Sequence, residues 1–309
     1  VTAPQPHGAG PAGPAGPADD LADDLAVYAD LVHETDDGRW AFGTGFTDPL
    51  AGVDTRVPAG IDGGALAMYC RMLGDDALVH SQRLQEWVTR APELEEETAI
   101  ANIALDLLGQ ARRLLTRSGT ADGSGRSEDD LAYWRAPHEF LSVPLADHRD
   151  ADFAELVARV LLLATWRQAV CLELRHGADP VLAAIAASAA TELRYHREHA
   201  ALWVVRLGRG TELSHRRMQA AVDRLWPLRG ELYRDPPVVA RLPGVAVPAA
   251  AVRDAVEDAL SGVLDRAGVD GPPPGPATGA GRDGHHGPDF AEMIDELQSV
   301  ARAHPGASW

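Results

Sequence analysis

Residues 179–208 read DPVLAAIAASAATELRYHREHAALWVVRLG, and their periodicity decides the fold. Leu182, Ile185, Ala186, Ala189, Leu193, His196, Ala200, Trp203, Val204 and Leu207 recur in steps of three and four, the spacing of one helix face. Asp179 before Pro180 is an N-cap with a first-turn proline, and Gly208 is a stop. The stretch is one long amphipathic helix. Its middle, ELRYHREH (192–199), packs acids, arginines and histidines together and raises the question of a metal site.

Working outward, the same period predicts core helices over about 62–90, 93–118 and 150–176, and a short helix near 127–135. Further helices are expected at 211–225, 249–267 and 288–303. The acidic run ELEEE (93–97) lies where negative charge suits a helix N-terminus. Arg112, Arg113 and Arg117 are expected in the last turn of that helix, where positive charge suits the other end. Four long helices thus arrive as two pairs, each pair joined by a short turn and the pairs by a longer connection. That is the plan of an all-α, ferritin-like helical bundle with extra C-terminal helices.

The expected organisation is a Pro/Gly-rich disordered tail at 1–20 and an N-terminal extension with a short helix at 21–61. The bundle follows at 62–270, a Pro/Gly linker at 271–287, and a last helix and tail at 288–309. In the linker, the pair His285–His286 reads as a solvated loop, with metal binding the lesser alternative.

Composition narrows the function. Aromatics are 6% against 45% hydrophobic residues, so the core is aliphatic. Lysine is absent, and 28 arginines face 46 acids, for a net charge of −18. That balance argues against broad binding to nucleic acid or anionic membranes. Cys70 and Cys171 sit inside helical patterns and form neither a disulfide framework nor a zinc motif. No apolar run is long enough for a membrane span and no basic-then-apolar leader opens the chain, so a cytoplasmic location is expected.

A ferritin-like di-iron centre needs a carboxylate from each of two helices and a Glu-x-x-His from each of the other two. The literal match Glu173-Leu174-Arg175-His176 falls at a helix end, where a bundle-core site does not belong. On the second core helix the apolar stripe is Ile100, Ile103, Ala104, Leu107, Leu108, Ala111, Leu114 and Leu115. Leu107 occupies the core face, with Gln110 three residues on and Asp106 well round from its centre. On the fourth helix His196 lies on the stripe, but three residues before it stands Leu193; Glu192 is displaced to one side. The frames are therefore Leu-x-x-Gln and Leu-x-x-His. His196 reads as a core histidine whose hydrogen-bond partner is Glu192, an Asp on another helix, or water.

Three segments resemble a known family. MLGDDALVHSQRLQEWVTRAPELEEETAIANIALDLLGQARRLL (72–115), ATELRYHREHAALWVVRLGRGTELSHRRMQAAVDRLWPLRGELY (190–233) and EMIDELQSVARAHPGASW (292–309) look like the C subunits of bacterial phenylacetyl-CoA 1,2-epoxidase (PaaC). The resemblance implies a ferritin-like fold and a related catalytic A-type partner that carries the di-iron site. It implies that Leu107 replaces a ligand Glu, that Gln110 replaces a ligand His, and that His196 survives while Leu193 stands for a lost Glu. It places the third helix's lost ligand at Ala164 and the first helix's near Asp76 or Ala77. No cofactor is then expected in this subunit. Its role would be structural, in a monooxygenase complex that includes a reductase.

The Arg-rich stretch with Arg206, Arg209, Arg216 and Arg217 is a candidate partner or CoA-phosphate contact, against the plainer reading of a solvated helix face. The rival function is a stand-alone di-iron oxygenase using Asp76, Asp106, Glu192 and His196, or an iron-binding ferritin-like protein.

Overall fold

The structure is a computed structural model that describes residues 48–272 and 280–307. All of these but Asp48 belong to the unit spanning 49–309. The tail expected at 1–20, most of the 21–61 extension and part of the 271–287 linker lie outside the described residues. The helices, in order, are α1 (Gly63–Gln85), α2 (Leu94–Ala121), short α3 (Glu128–Tyr133) and α4 (Pro144–Asp147), α5 (Phe153–Leu174), α6 (Pro180–Gly208), α7 (Glu212–Leu225), short α8 (Pro237–Ala240), α9 (Ala249–Ala267) and α10 (Pro288–Ala303). Among the described residues there is no strand, only an isolated bridge between Ala280 and His285.

Local chemistry sets the helix starts. Asp62, Asp152, Asp179 and Thr211 each cap a helix by accepting a backbone N–H in its first turn. α1 is shorter than the pattern suggests: it ends at Gln85, and a run of turns follows. α2 runs on to Ala121, so Arg112, Arg113 and Arg117 are not in its last turn. Arg117 is buried instead and grips Asp179, the N-cap of α6, while its Nη1 donates to Thr55 O at 2.5 Å. A charge assigned to the helix dipole is in fact a bolt between the two helix pairs.

α1 lies along α2 and α5 along α6, as the paired pattern requires. α2 meets α6 over a shorter stretch, and α7 and α9 cover α5. The expected stripes face the core: all of their members are buried except Leu108 and Leu207, which are half-buried. Full burial of Leu107 and Leu193 contributes about 2–3 kcal/mol each in area removed from water. Gly208 does more than stop α6. A Cβ there would stand 2.5 Å from Ala267 O, so only glycine lets α9 approach.

Candidate functional site

The level at which a four-helix bundle builds a metal centre is occupied by a chain of polar side chains. α6 supplies Glu192, whose Oε2 accepts from Gln110 Nε2 of α2 at 2.8 Å. Gln110 Oε1 in turn accepts from Arg167 Nη2 of α5 at 3.1 Å. Arg167 Nη1 donates to Leu73 O of α1 at 3.1 Å and lies 4.0 Å from Asp76 Oδ2. Asp76 is clasped from its far side by Arg282, at 3.0 Å to Oδ1 and 2.6 Å to Oδ2, and accepts from Val143 N–H at 2.9 Å. Arg282 also donates to Met72 O and Leu141 O. One network therefore links all four long helices to a loop that precedes α10.

Leu107, Ala164 and Leu193 are buried apolar plugs, and Gln110 and His196 are buried beside them. The partner of His196 is Asp106 of α2, with Nε2 2.9 Å from Oδ2. Asp106 and Glu192 thus each tie α2 to α6, and burial pushes the Glu192 carboxyl up. Glu173 and His176 are exposed at the end of α5.

Three residues of this site escape the sequence reading. Arg167 follows Ala164 by three, the spacing that puts both on one helix face. An arginine on that face of a largely apolar helix was the available signal. Arg282 lies in the segment read as a Pro/Gly linker, and nothing local marks it as interior. His80, one turn beyond Asp76, is buried with neither ring nitrogen hydrogen-bonded. Burial holds it well below the usual histidine range, with Arg159 and Arg167 adding to that effect.

The site offers little room. A cavity beside Gln110 and Arg167 measures about 20 Å³, is walled by Leu114, Leu182, Ile185 and Ala186, and admits about one water. Cys171 on its wall is pushed up to about 11 by burial and stays a thiol. Among the described residues, His148, Asp150 and Glu155 at the start of α5 are the only trio at metal-ligand spacing. Asp150 holds Arg159, and Glu155 holds Arg224 and the N–H of Ala151.

The four arginines expected as a contact surface do not form one grip. Arg206 lies over the Trp203 ring, and Arg209 caps the end of α9 through Arg266 O and Asp265 O. Arg216 pairs with Glu212, and Arg217 lies 4.0 Å from Asp152. No described helix is long and apolar enough to cross a membrane.

The model of a family described as phenylacetic acid catabolic protein matches residues 59–309. The chain belongs to that family. Within it, the C subunit of 1,2-phenylacetyl-CoA epoxidase from Escherichia coli (strain K12) is 37% identical over 246 residues, covering 79% of this chain and 99% of that protein. The span matched by the family includes every helix of the bundle and the loop that carries Arg282.

Proposed function

We propose that this chain is a non-catalytic, structural subunit of a multicomponent phenylacetyl-CoA epoxidase in aerobic phenylacetate catabolism. It pairs with the di-iron catalytic subunit of that cytoplasmic assembly, which also holds a reductase, and has no di-iron cofactor of its own. The relative's name supports the pathway and the assembly. The observation that carries the non-catalytic reading is Arg167.

A di-iron centre of this fold needs carboxylates and imidazoles converging from four helices. Here the two frames hold Leu107/Gln110 and Leu193/His196, the third helix offers Ala164 with Arg167 one turn on, and the residues present do not fit that group. A guanidinium keeps its charge at any working pH, accepts no electron pair and donates only hydrogen bonds. Arg167 therefore meets the charge of Asp76 and the amide of Gln110 without chemistry, and Arg282 does the same on the other side. The rival ligand set, Asp76, Asp106, Glu192 and His196, is already spent pairwise in these bonds. What the network does supply is a cross-braced bundle whose outer faces are available to partners.

Co-expression with the catalytic subunit tests the reading. The two chains are expected to elute as one complex at about micromolar concentration. Separate elution under those conditions overturns it.

A further inference from the structure

Residues 280–287 have the composition of a solvated loop, yet they are pressed onto the 138–147 segment. A Cβ on Gly281 would stand 2.0 Å from Ser142 O, and one on Gly284 2.2 Å from His138 O. The ring of His286 stacks on Phe290, with centroids 3.8 Å apart and planes 13° from parallel. Its side chain is about 5% exposed. Nε2 lies 3.0 Å from Phe140 O, and because a carbonyl only accepts, Nε2 carries the hydrogen. In the neutral ring Nδ1 is then a bare lone pair, and it has no hydrogen-bond partner.

That lone pair faces a carboxylate. Asp147 Oδ2, from the last residue of α4, is 3.8 Å from Nδ1. The other oxygen, Oδ1, accepts from Arg83 Nη2 at 3.2 Å, and the N–H of Gly287 also bonds this carboxylate. Arg83 also pairs with Glu86 at 2.7 Å, and Arg149 lies 3.9 Å from the other oxygen of Glu86. Two buried acceptors this close need a shared proton or a cation between them. Beside them a cleft of about 640 Å³ opens, lined by Pro144, Asp147, Ala280, His285, His286 and Gly287.

The spacing fits an ion. A metal bonded at about 2.0–2.2 Å to one nitrogen and one carboxylate oxygen can hold those atoms at most about 4.2 Å apart. The supporting shell is already in place: Nε2–H to a backbone carbonyl orients the ring, and a backbone N–H orients the carboxylate. Imidazole with carboxylate favours a borderline divalent ion over calcium, which takes oxygen donors alone.

We propose that Asp147 and His286 bind one divalent transition-metal ion outside the four-helix core, in a cleft that His285 also lines without reaching ligand distance. Water from the cleft completes its coordination. The ion fastens the 280–287 loop, and with it Arg282, to α4.

The test is titration of the full purified chain with Co²⁺ at about pH 7.5, read by visible absorption. One Co²⁺ per chain is expected. His286→Gln should lower the affinity at least about 10-fold and His285→Ala by less, each with an unchanged helical circular dichroism spectrum. No uptake up to about 1 mM Co²⁺ overturns the proposal, and a proton on Nδ1 then fills the gap. Uptake unaltered in His286→Gln also overturns it and moves the ion to the His148–Asp150–Glu155 trio. Should His286→Gln fail to fold, unchanged affinity in Asp147→Asn has the same force.

Discussion

Replacing Arg282 with methionine removes the clasp on Asp76 while keeping most of the side-chain volume. The guanidinium is about 5% exposed and donates to both oxygens of Asp76, to Met72 O and to Leu141 O. Without it, Asp76 keeps only the Val143 N–H and a guanidinium 4.0 Å away, and two carbonyls lose a donor. Breaking a buried pair by removing one partner costs about 3–5 kcal/mol. With a urea slope of about 3 kcal/mol/M, the unfolding midpoint should fall by about 1–1.7 M. The double variant Asp76→Asn/Arg282→Met should recover much of the loss, because the stranded charge is gone; a coupling of about 2 kcal/mol or more is expected from the cycle. A loss under about 1 kcal/mol in the single variant, or a coupling near zero, would refute the claim that this loop braces the core.

Leu193→Glu should lower the thermal midpoint by about 10 °C, since a carboxylate in that buried slot costs about 3 kcal/mol or more; unchanged stability would show that the helix face is misassigned. His80 predicts a pH effect. Its folded-state pKa is depressed, so below its unfolded value of about 6.5 the unfolded chain binds the extra proton and stability falls with acid. Between about pH 7.5 and 5.5 the loss should be about 1.4 kcal/mol, read as the difference in urea stability between wild type and His80→Phe; parallel curves would mean that native His80 takes up its proton as readily as the unfolded chain does.

Much of the fold was legible because it rests on local rules. Apolar period, N-cap aspartates and stop glycines act within a few residues of themselves, and they placed α2 and α6 and the buried faces of Leu107 and Leu193. The centre of the bundle was legible only in part. The apolar plugs at Leu107 and Leu193 follow from the stripes and Ala164 only from the family resemblance, whereas the polar network between them follows from neither. Periodicity reports which face of a helix is buried, not how far a guanidinium reaches along a neighbour. Arg282 meets Asp76 across 206 residues of chain, from a segment whose glycines look like a linker and are in fact required by close contact with 138–144. His286 reads as solvated for the same reason: composition describes the backbone's freedom, and the stack on Phe290 is a property of the tertiary structure.

The central claim is that the bundle core holds Leu107, Gln110, Ala164 and Leu193 where a di-iron centre would need ligands, with Arg167 braced among them. The most direct test is anaerobic loading of the isolated chain with Fe(II), removal of loosely held metal, and iron analysis before and after exposure to O₂. The account predicts that no di-iron centre forms and that no O₂-dependent absorption develops. About two irons per chain, oxidised together by O₂, would contradict it.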